Sequence, residues 1–194
     1  MYIPKHFEIT DSDEILSFLN GNPFGQLIST LNGKLFSSHI PFLINQDGSV
    51  LLGHLAKTNP QWKTIEDQEV LVTFQGAHDY ISPSWYGSPG VPTWNYQAVH
   101  VYGNCSITQD REELQNIVNE LTSIYESKLP EPWSPEYKES KLKGIVGVKV
   151  NVTDIQCKYK LSQNRSEEDR NEVISQLEQK GSITLAFAMK ESEK

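Results

Sequence analysis

After one short amphipathic segment, the apolar residues in the first half of the chain follow the pattern of short strands separated by turn dipeptides. Asn32-Gly33 and Asp47-Gly48 favour tight hairpin turns. They separate strands predicted over residues 24–31, 34–42 and 50–55. We therefore predict a three-stranded antiparallel meander in this part of the chain.

Three segments combine helical spacing of apolar residues with an N-capping side chain in front. The first follows the cap sequence 10–13, in which Asp13 is expected to reach back, and Gly21 is expected to end it in a left-handed conformation. The second follows Asp110 and ends before Pro130. Its predicted apolar face consists of Leu114, Ile117, Val118, Leu121, Ile124 and Tyr125. The third begins at Ser166 and closes near Gly181, and residues 182–189 after it are apolar enough to dock.

Further strands are predicted over residues 69–75, 97–108, 144–150 and 152–161. Residues 79–96 are rich in Pro, Gly, Ser and aromatic side chains and predict a long loop. Many short strands with hairpin signals and peripheral helices indicate a mainly β chain of the α+β class, built on an antiparallel barrel. No internal repeat or linker is present, so we expect a single domain over residues 1–194.

Charge and composition restrict the partners of this chain. Its 17 basic residues face 25 acidic ones, a net charge of −8, whereas a DNA-binding surface needs clustered Lys and Arg. No stretch approaches the roughly 20 apolar residues of a membrane span, and the N-terminus has no secretory signal. Cys105 and Cys157 are far apart and indicate reduced, partly buried thiols. We expect a cytoplasmic protein without a membrane partner.

One segment has the composition of a phosphate site. Lys57, Thr58 and Asn59 follow a predicted strand, and Pro60 forces the chain to turn. A phosphate ester needs a cation, hydroxyl or amide donors and free backbone N–H groups, all of which a turn of this kind offers. An ordinary solvated strand end explains the same residues. On the strand 34–42, Ser38 and His39 add a hydroxyl and an imidazole that point to opposite faces.

Two further segments carry polar or aromatic groups. Trp85, Tyr86 and Trp94 lie in the predicted loop, where they either stack on a flat ligand or pin the loop to the core or to a partner subunit. Residues 158–165 either close a ligand site or form a plain loop before the cap at Ser166. The five histidines have no short paired spacing, and no nucleophile-elbow, Walker or dinucleotide-binding motif is present.

Six blocks of the sequence together resemble one family. They are YIPKHF (2–7), HIPF (39–42), GHLAKTNPQW (53–62), GAHDYISPSWY (76–86), VPTWNY (91–96) and KLSQNR (160–165). These blocks resemble the PaiB family, whose members are called FMN-binding negative transcriptional regulators. They occur in order over nearly the whole chain, which makes the resemblance more specific than any single motif.

The resemblance implies an antiparallel Greek-key split β-barrel related to pyridoxamine phosphate oxidase and the small flavin reductases. It also implies a homodimer with FMN at the subunit interface. Carried over by position, Lys57, Thr58 and Asn59 would take the phosphate, with Ser38 and His39 beside them. The ring-side or interface contacts would be Trp94, Tyr96 and Gln163.

Two functions remain open at this point, and a third, a flavin-holding or haem-handling protein, fits the fold but has no sequence feature of its own. The family label implies a repressor, yet the chain has no recognisable helix-turn-helix and its charge does not support direct DNA contact. A flavin-dependent oxidoreductase acting on a small molecule is the alternative, with the cofactor carrying the chemistry. No residue demands a general-base role, so we assign no catalytic side chain and no metal site.

Overall fold

The computed structural model describes residues 1–134 and 139–192. The chain forms two compact units, both assembled from distant parts of the sequence. The first consists of Met1–Ile15, Gln75–Val99 and Gln156–Lys194, and the second of Leu16–Phe74 and His100–Ile155. Whether they make up the single domain predicted over residues 1–194 stays a prediction.

The described residues form eight strands, five α-helices and three 3₁₀ turns. The strands are β1 Glu8–Ile9, β2 Phe24–Leu31, β3 Lys34–Pro41, β4 Leu43–Ile44, β5 Val50–Ala56, β6 Glu69–Ile81, β7 Thr93–Thr108 and β8 Ile145–Lys160. The α-helices are α1 Ser12–Gly21, α2 Arg111–Glu126, α3 Glu139–Leu142, α4 Glu167–Gln179 and α5 Ile183–Glu191. The 3₁₀ turns are Lys5–Phe7, Pro60–Lys63 and Pro83–Trp85.

The eight strands belong to one sheet, with the order β3-β2-β6-β7-β8-β5-β4, and β1 pairs with β8. The pairings with a determined register are antiparallel. No ladder among the described residues joins the two ends of this order, β3 and β4, so the sheet is not closed into a barrel. This open antiparallel sheet with peripheral helices agrees with the predicted split-barrel class.

Both predicted hairpins exist, but the second is short: Gly48 has a positive φ, and Leu43–Ile44 pair antiparallel with Leu51 and Leu52 of β5. The β2–β3 hairpin exists, and Asn32 and Gly33 both have the positive φ values that a type I′ turn requires. After Pro41, however, the chain leaves β3, and β5 pairs with β8 and with the two-residue β4. The hydrophobic pattern locates a strand, but its neighbour is selected by backbone hydrogen bonds to a segment about 90 residues away, which local sequence does not encode.

Three strand predictions needed longer limits. β6 continues through Gly76 to Ile81, and β7 begins at Thr93, so the loop predicted over 79–96 shrinks to residues 82–92. β8 is one continuous strand and not the two predicted over 144–150 and 152–161. Glycine and polar residues weaken a strand signal locally, but the neighbouring strands keep the backbone extended there.

The helix signals were correct in place and partly wrong in mechanism. Asp110 and Ser166 accept hydrogen bonds from the amides of Glu113 and Asp169, as predicted caps do. In α1 the cap is the Asp11 side chain, whose Oδ1 accepts from the Glu14 amide at 2.9 Å. This cap takes the place of the predicted box, in which Asp13 reaches back.

The helix ends also differ from the predictions in part. Gly181 has a φ of 85°, which agrees with the predicted end of α4, whereas Gly21 does not have a positive φ. α2 buries the predicted Leu114, Ile117 and Leu121, but Ile124 and Tyr125 are 39% and 41% exposed. The predicted apolar face of α2 therefore packs only along part of its length.

Each unit has its own buried apolar side chains. In the second unit, the fully buried ones include Leu27, Leu51, Ile65, Val70, Val72 and Phe74. In the first unit they include Ile81, Leu161, Leu177, Leu185 and Met189. Each such side chain contributes about 1.5–3 kcal/mol by leaving water. Cys105 and Cys157 are both buried free thiols, and burial raises the pKa of each to about 12.

Candidate functional site

The turn from Ala56 to Asn59 is held rigidly at the end of β5. The Asn59 amide donates to the Ala56 carbonyl at 2.9 Å, which closes the turn, and the Lys57 amide donates to the Gly144 carbonyl at 2.9 Å. The indole of Trp62 donates to the Lys57 carbonyl at 3.0 Å. Both backbone polar groups of Lys57 are thus fixed by neighbouring segments. We call residues 56–59 the 56–59 turn.

Asn59 links this turn to β3. Its Oδ1 accepts from the Gln61 amide at 3.0 Å and thereby caps the 3₁₀ turn Pro60–Lys63. Its Nδ2 donates to Ser38 Oγ at 2.7 Å. Because Ser38 Oγ accepts this hydrogen bond, the Ser38 hydroxyl proton is left to point elsewhere. The structure therefore brings together Ser38 and Asn59, two residues 21 positions apart in the predicted site.

Gln61 connects the 56–59 turn to β2, a role that no motif in the sequence indicates. Its side chain is fully buried, and its Nε2 donates to the Leu27 carbonyl at 3.1 Å and to Ser29 Oγ at 2.8 Å. Its Oε1 is a buried acceptor that no group in the described part of the chain satisfies. A buried Gln with these partners connects the turn to β2, so its role is to position the turn.

The donors of the turn are free to meet an anion. Within residues 1–134 and 139–192, the half-buried Lys57 ammonium has no hydrogen-bond or carboxylate partner, and the exposed Thr58 has none for its amide or its hydroxyl. Together with the Ser38 hydroxyl, these groups form a set of hydrogen-bond donors, one of them a cation, that have no acceptor partner in the described part of the chain. This donor set fits a phosphate ester, since a phosphate accepts several hydrogen bonds at once and favours a nearby cation.

His54 precedes the turn on β5 and differs from it in charge. Burial lowers the pKa of the imidazole, which favours its neutral form. Its Nδ1 is buried and has no partner in the described chain. His54 therefore adds a polar atom and no positive charge to this end of β5.

His39 does not join the turn. Ser38 and Ile40 are buried, whereas His39 is exposed, as strand alternation predicts. The imidazole lies against the ring of Phe24, with a centroid distance of 6.2 Å and an interplanar angle of 29°. The predicted placement of His39 beside the phosphate donors therefore stays a prediction that these contacts do not support.

The other predicted residues lie in the first unit. Trp94, on β7, is 54% exposed and packs beside the rings of His78 and Tyr80, with centroid distances of 6.5 and 6.3 Å. Tyr96, two residues further on the same strand, lies 5.3 Å from the Lys158 ammonium. The His78 ring is inclined by 29° to the Trp94 ring and the Tyr80 ring by 71°, so Trp94 is an exposed ring held by two neighbours, and its stacking on a flat ligand stays a prediction.

Gln163 uses both ends of its amide locally. Its Nε2 donates to the Tyr159 carbonyl at 2.6 Å, and its Oε1 accepts from the Leu161 amide at 2.7 Å. These bonds stabilise the bend after β8, where Ser162 has a φ of 65°. The structure thus gives Gln163 a local backbone role, and its predicted role as a ring-side or interface contact remains a prediction.

A polar clamp holds residues 86–90 against α4. Asp169, which is buried, accepts hydrogen bonds from the Gly87 amide at 2.8 Å and from the amide and hydroxyl of Ser88. Arg165 donates to the Pro89 carbonyl at 3.1 Å and lies 4.3 Å from the centroid of the Tyr86 ring. The Ser88 hydrogen bond lowers the pKa of the Asp169 carboxyl. Tyr86 is buried beside Arg165 and holds its loop in place, whereas the Trp94 ring is exposed.

Comparison with known proteins identifies the family. Residues 1–154 match a family described as "Putative FMN-binding domain". A Bacillus subtilis relative, "Protease synthase and sporulation protein PAI 2", is 48% identical over 186 residues, which cover 92% of this chain and 89% of the relative.

Solved structures of low sequence identity share the fold. The flavocytochrome Anf3 from Azotobacter vinelandii matches 88% of this chain and 78% of its own, with a TM-score of 0.67 and 14% identity. The FAD and heme binding protein from Mycobacterium smegmatis matches 84% and 78%, with a TM-score of 0.61 and 13% identity. These structures show the split-barrel fold, and the family match over residues 1–154 together with the 48% identical relative shows that the chain belongs to the PaiB family.

Proposed function

We propose that this protein binds FMN through the 56–59 turn and acts as a homodimer with the flavin at the subunit interface. The observation that carries the proposal is the donor set of Lys57, Thr58 and Ser38: a cation, an amide and two hydroxyls that no acceptor in residues 1–134 and 139–192 satisfies. The turn is fixed before any ligand arrives, so little ordering entropy opposes binding.

Each residue of the proposed site has a separate role. Lys57 supplies the charge, Thr58 the amide and hydroxyl donors, and Ser38 a further hydroxyl whose direction is set by Asn59. FMN, when bound, supplies reversible electron transfer. His39 is proposed to lie beside the phosphate donors, and Trp94, Tyr96 and Gln163 to contact the flavin ring or the subunit interface. We assign no catalytic side chain.

A fluorescence titration tests the phosphate site. Lys57→Gln should weaken FMN by about ten- to hundredfold, because a charge-assisted hydrogen bond contributes about 1.5–3 kcal/mol. Riboflavin, which lacks the phosphate, should change by less than about twofold. Lys63→Gln is the matched control, since Lys63 is an exposed lysine six residues further on.

Equal losses for FMN and riboflavin in Lys57→Gln would remove Lys57 from the phosphate site. No saturable quenching by the wild-type protein at micromolar concentrations would refute flavin binding as a whole.

The exposed edge of the sheet supports the homodimer. β3 ends the strand order, and Leu35 on β3 and Phe24 on β2 are 81% and 62% exposed. Phe24 pairs with Pro41 and Leu35 with Thr30, so these two side chains lie towards opposite ends of the hairpin, and it is the outer edge of β3 that favours pairing with a second chain. Light scattering should give twice the 22.0 kDa chain mass, and Leu35→Glu should shift it towards 22.0 kDa. A wild-type monomer at every concentration would contradict the shared site.

A regulatory output is the function we favour for the bound flavin, as in the family. The net charge of −8 indicates action through a partner or a small molecule and not direct DNA reading. A cytoplasmic location is part of the proposal and is supported by two free, buried cysteines. No helix in the described part of the chain has the length and hydropathy of a membrane span.

A flavin-dependent oxidoreductase is the second candidate, favoured by the exposed Trp94 ring, which offers a flat surface to a substrate. Two assays on one preparation separate the candidates. NAD(P)H-dependent flavin turnover supports the enzyme, and salt-sensitive DNA retardation would show that the chain contacts DNA directly after all.

A further inference from the structure

Two lysines lie side by side on one face of β8 in the first unit. Lys158 and Lys160 are two residues apart, so their side chains point to the same face of the strand. Lys158 is only 7% exposed, and its ammonium lies 5.6 Å from the Tyr2 ring centroid and 5.3 Å from that of Tyr96. Burial and the nearby charge of Lys158 both lower the pKa of Lys160.

The hydrogen bonds of these two ammonium groups are incomplete. Lys158 Nζ donates to the Tyr2 carbonyl at 3.1 Å, and Lys160 Nζ donates to Thr93 Oγ1 and to the Trp94 carbonyl. An ammonium has three N–H donors, so two on Lys158 and one on Lys160 have no acceptor in the described part of the chain.

No carboxylate within the described ranges pairs with either lysine. Glu8 stands opposite Lys158 in the β1–β8 ladder, but it is exposed and forms no ion pair with it. Withdrawing a cation from water without a counter-ion is costly, and two adjacent cations add their mutual repulsion. An anion placed between Lys158 and Lys160 would relieve both.

Aromatic rings border the same place. Trp94 and Tyr96 are two residues apart on β7, and each contacts one of the lysines, Trp94 through its carbonyl and Tyr96 through its ring. His78 and Tyr80 pack beside Trp94 and support its position. A partly exposed ring that is held in place favours a flat ligand over a bulky one.

We propose that Lys158, Lys160, Trp94 and Tyr96 form a binding site for a small planar aromatic anion, that is, a flat ring bearing a carboxylate. The lysine ammonium groups bind the carboxylate, and the aromatic side chains contact the flat ring of the ligand. The site extends the proposed function because Trp94 and Tyr96 belong to both, and the anion is then the small molecule that reacts with the flavin or regulates the protein. Its lysines are distinct from the Lys57 of the phosphate site.

Calorimetric titration of the full chain, without flavin, tests the site with benzoate, with neutral benzamide and with non-planar cyclohexanecarboxylate. Benzoate should bind most tightly. Lys160→Gln should weaken benzoate by about tenfold or more, because a charged hydrogen bond is lost, and benzamide by less than about twofold. Lys149→Gln, which removes an exposed lysine of the same strand, should leave benzoate binding unchanged.

Two further variants test the buried lysine and the exposed ring of the site. Lys158→Gln removes a buried group, so its folding is checked by thermal denaturation. Trp94→Leu replaces a half-exposed ring and should reduce the preference for benzoate over cyclohexanecarboxylate. Benzoate binding no tighter than benzamide, or equal losses in Lys160→Gln and Lys149→Gln, would overturn the proposal. Because no flavin is present, these outcomes are separate from a failure of FMN to bind at Lys57.

Discussion

Asn59 carries two hydrogen bonds that separate its structural role from its role in the proposed phosphate site. Its Oδ1 caps the 3₁₀ turn by accepting from the Gln61 amide, and its Nδ2 donates to Ser38 Oγ at 2.7 Å. Asn59→Ala removes both bonds. Asn59→Asp keeps the capping oxygen and replaces the donor with a negative charge. Asn59→Ala should therefore lose more stability than Asn59→Asp, whereas Asn59→Asp should lose more affinity for FMN.

The magnitudes follow from these contacts. Loss of the cap costs about 1 kcal/mol, and loss of the second hydrogen bond about as much. For a chain of this size, 1 kcal/mol shifts Tm by about 2–4 °C, so Asn59→Ala should lower Tm by about 4–8 °C. Asn59→Asp keeps the cap and should lower it by less than about 4 °C.

The affinity change has the reverse order. A phosphate that accepts from Ser38 lies two hydrogen bonds, or about 6 Å, from residue 59. An Asp charge at that distance repels it by about 1–3 kcal/mol. Asn59→Asp should therefore weaken FMN by about ten- to hundredfold and leave riboflavin within about twofold.

Thermal denaturation of the apo-protein and flavin fluorescence titration measure the two effects. Equal Tm values for the wild type and Asn59→Ala would refute the capping argument. Equal weakening of FMN and riboflavin in Asn59→Asp would show that residue 59 does not face the phosphate.

Two further predictions concern the fold. Gly103→Ala should lower Tm by about 2–12 °C, because a Cβ there would lie 2.4 Å from the Asn151 carbonyl oxygen and overpacking costs about 1–3 kcal/mol. Gly21→Ala, where a Cβ meets nothing within 4 Å, is its control, and equal Tm changes would contradict the close approach. Asp169→Asn should lower Tm at neutral pH. Since the Asp169 pKa is lowered in the folded protein, its contribution is present above the usual Asp pKa of about 3.9 and is lost as the pH falls through the folded value. The Tm difference between wild type and variant should therefore shrink below about pH 4, and a difference unchanged to the lowest pH at which the protein folds would argue against the clamp.

Local chemistry is what the sequence determined well. Asn32-Gly33 adopts the positive φ values of a type I′ turn, and Asp110 and Ser166 cap the helices that follow them, because a turn or a cap depends on residues within four positions. The family and its cofactor could also be recognised, since six ordered blocks carry more information than any motif. The phosphate role of Lys57 and Thr58 rests on the composition of their segment and on the same resemblance, and it stays a prediction.

The tertiary structure decided which distant segments meet. β5 pairs with β8 and not with β3, and Asn59 bonds to Ser38 across 21 residues, because backbone ladders and side-chain networks form between surfaces that have no local signature. Lys158 and Lys160 belong to residues 158–165, for which the sequence leaves open whether they close a ligand site or form a plain loop. Only the folded structure shows that Lys158 is buried, that Lys160 is partly buried, and that no described carboxylate pairs with either of them. Charge compensation depends on neighbours in space, which the sequence does not list.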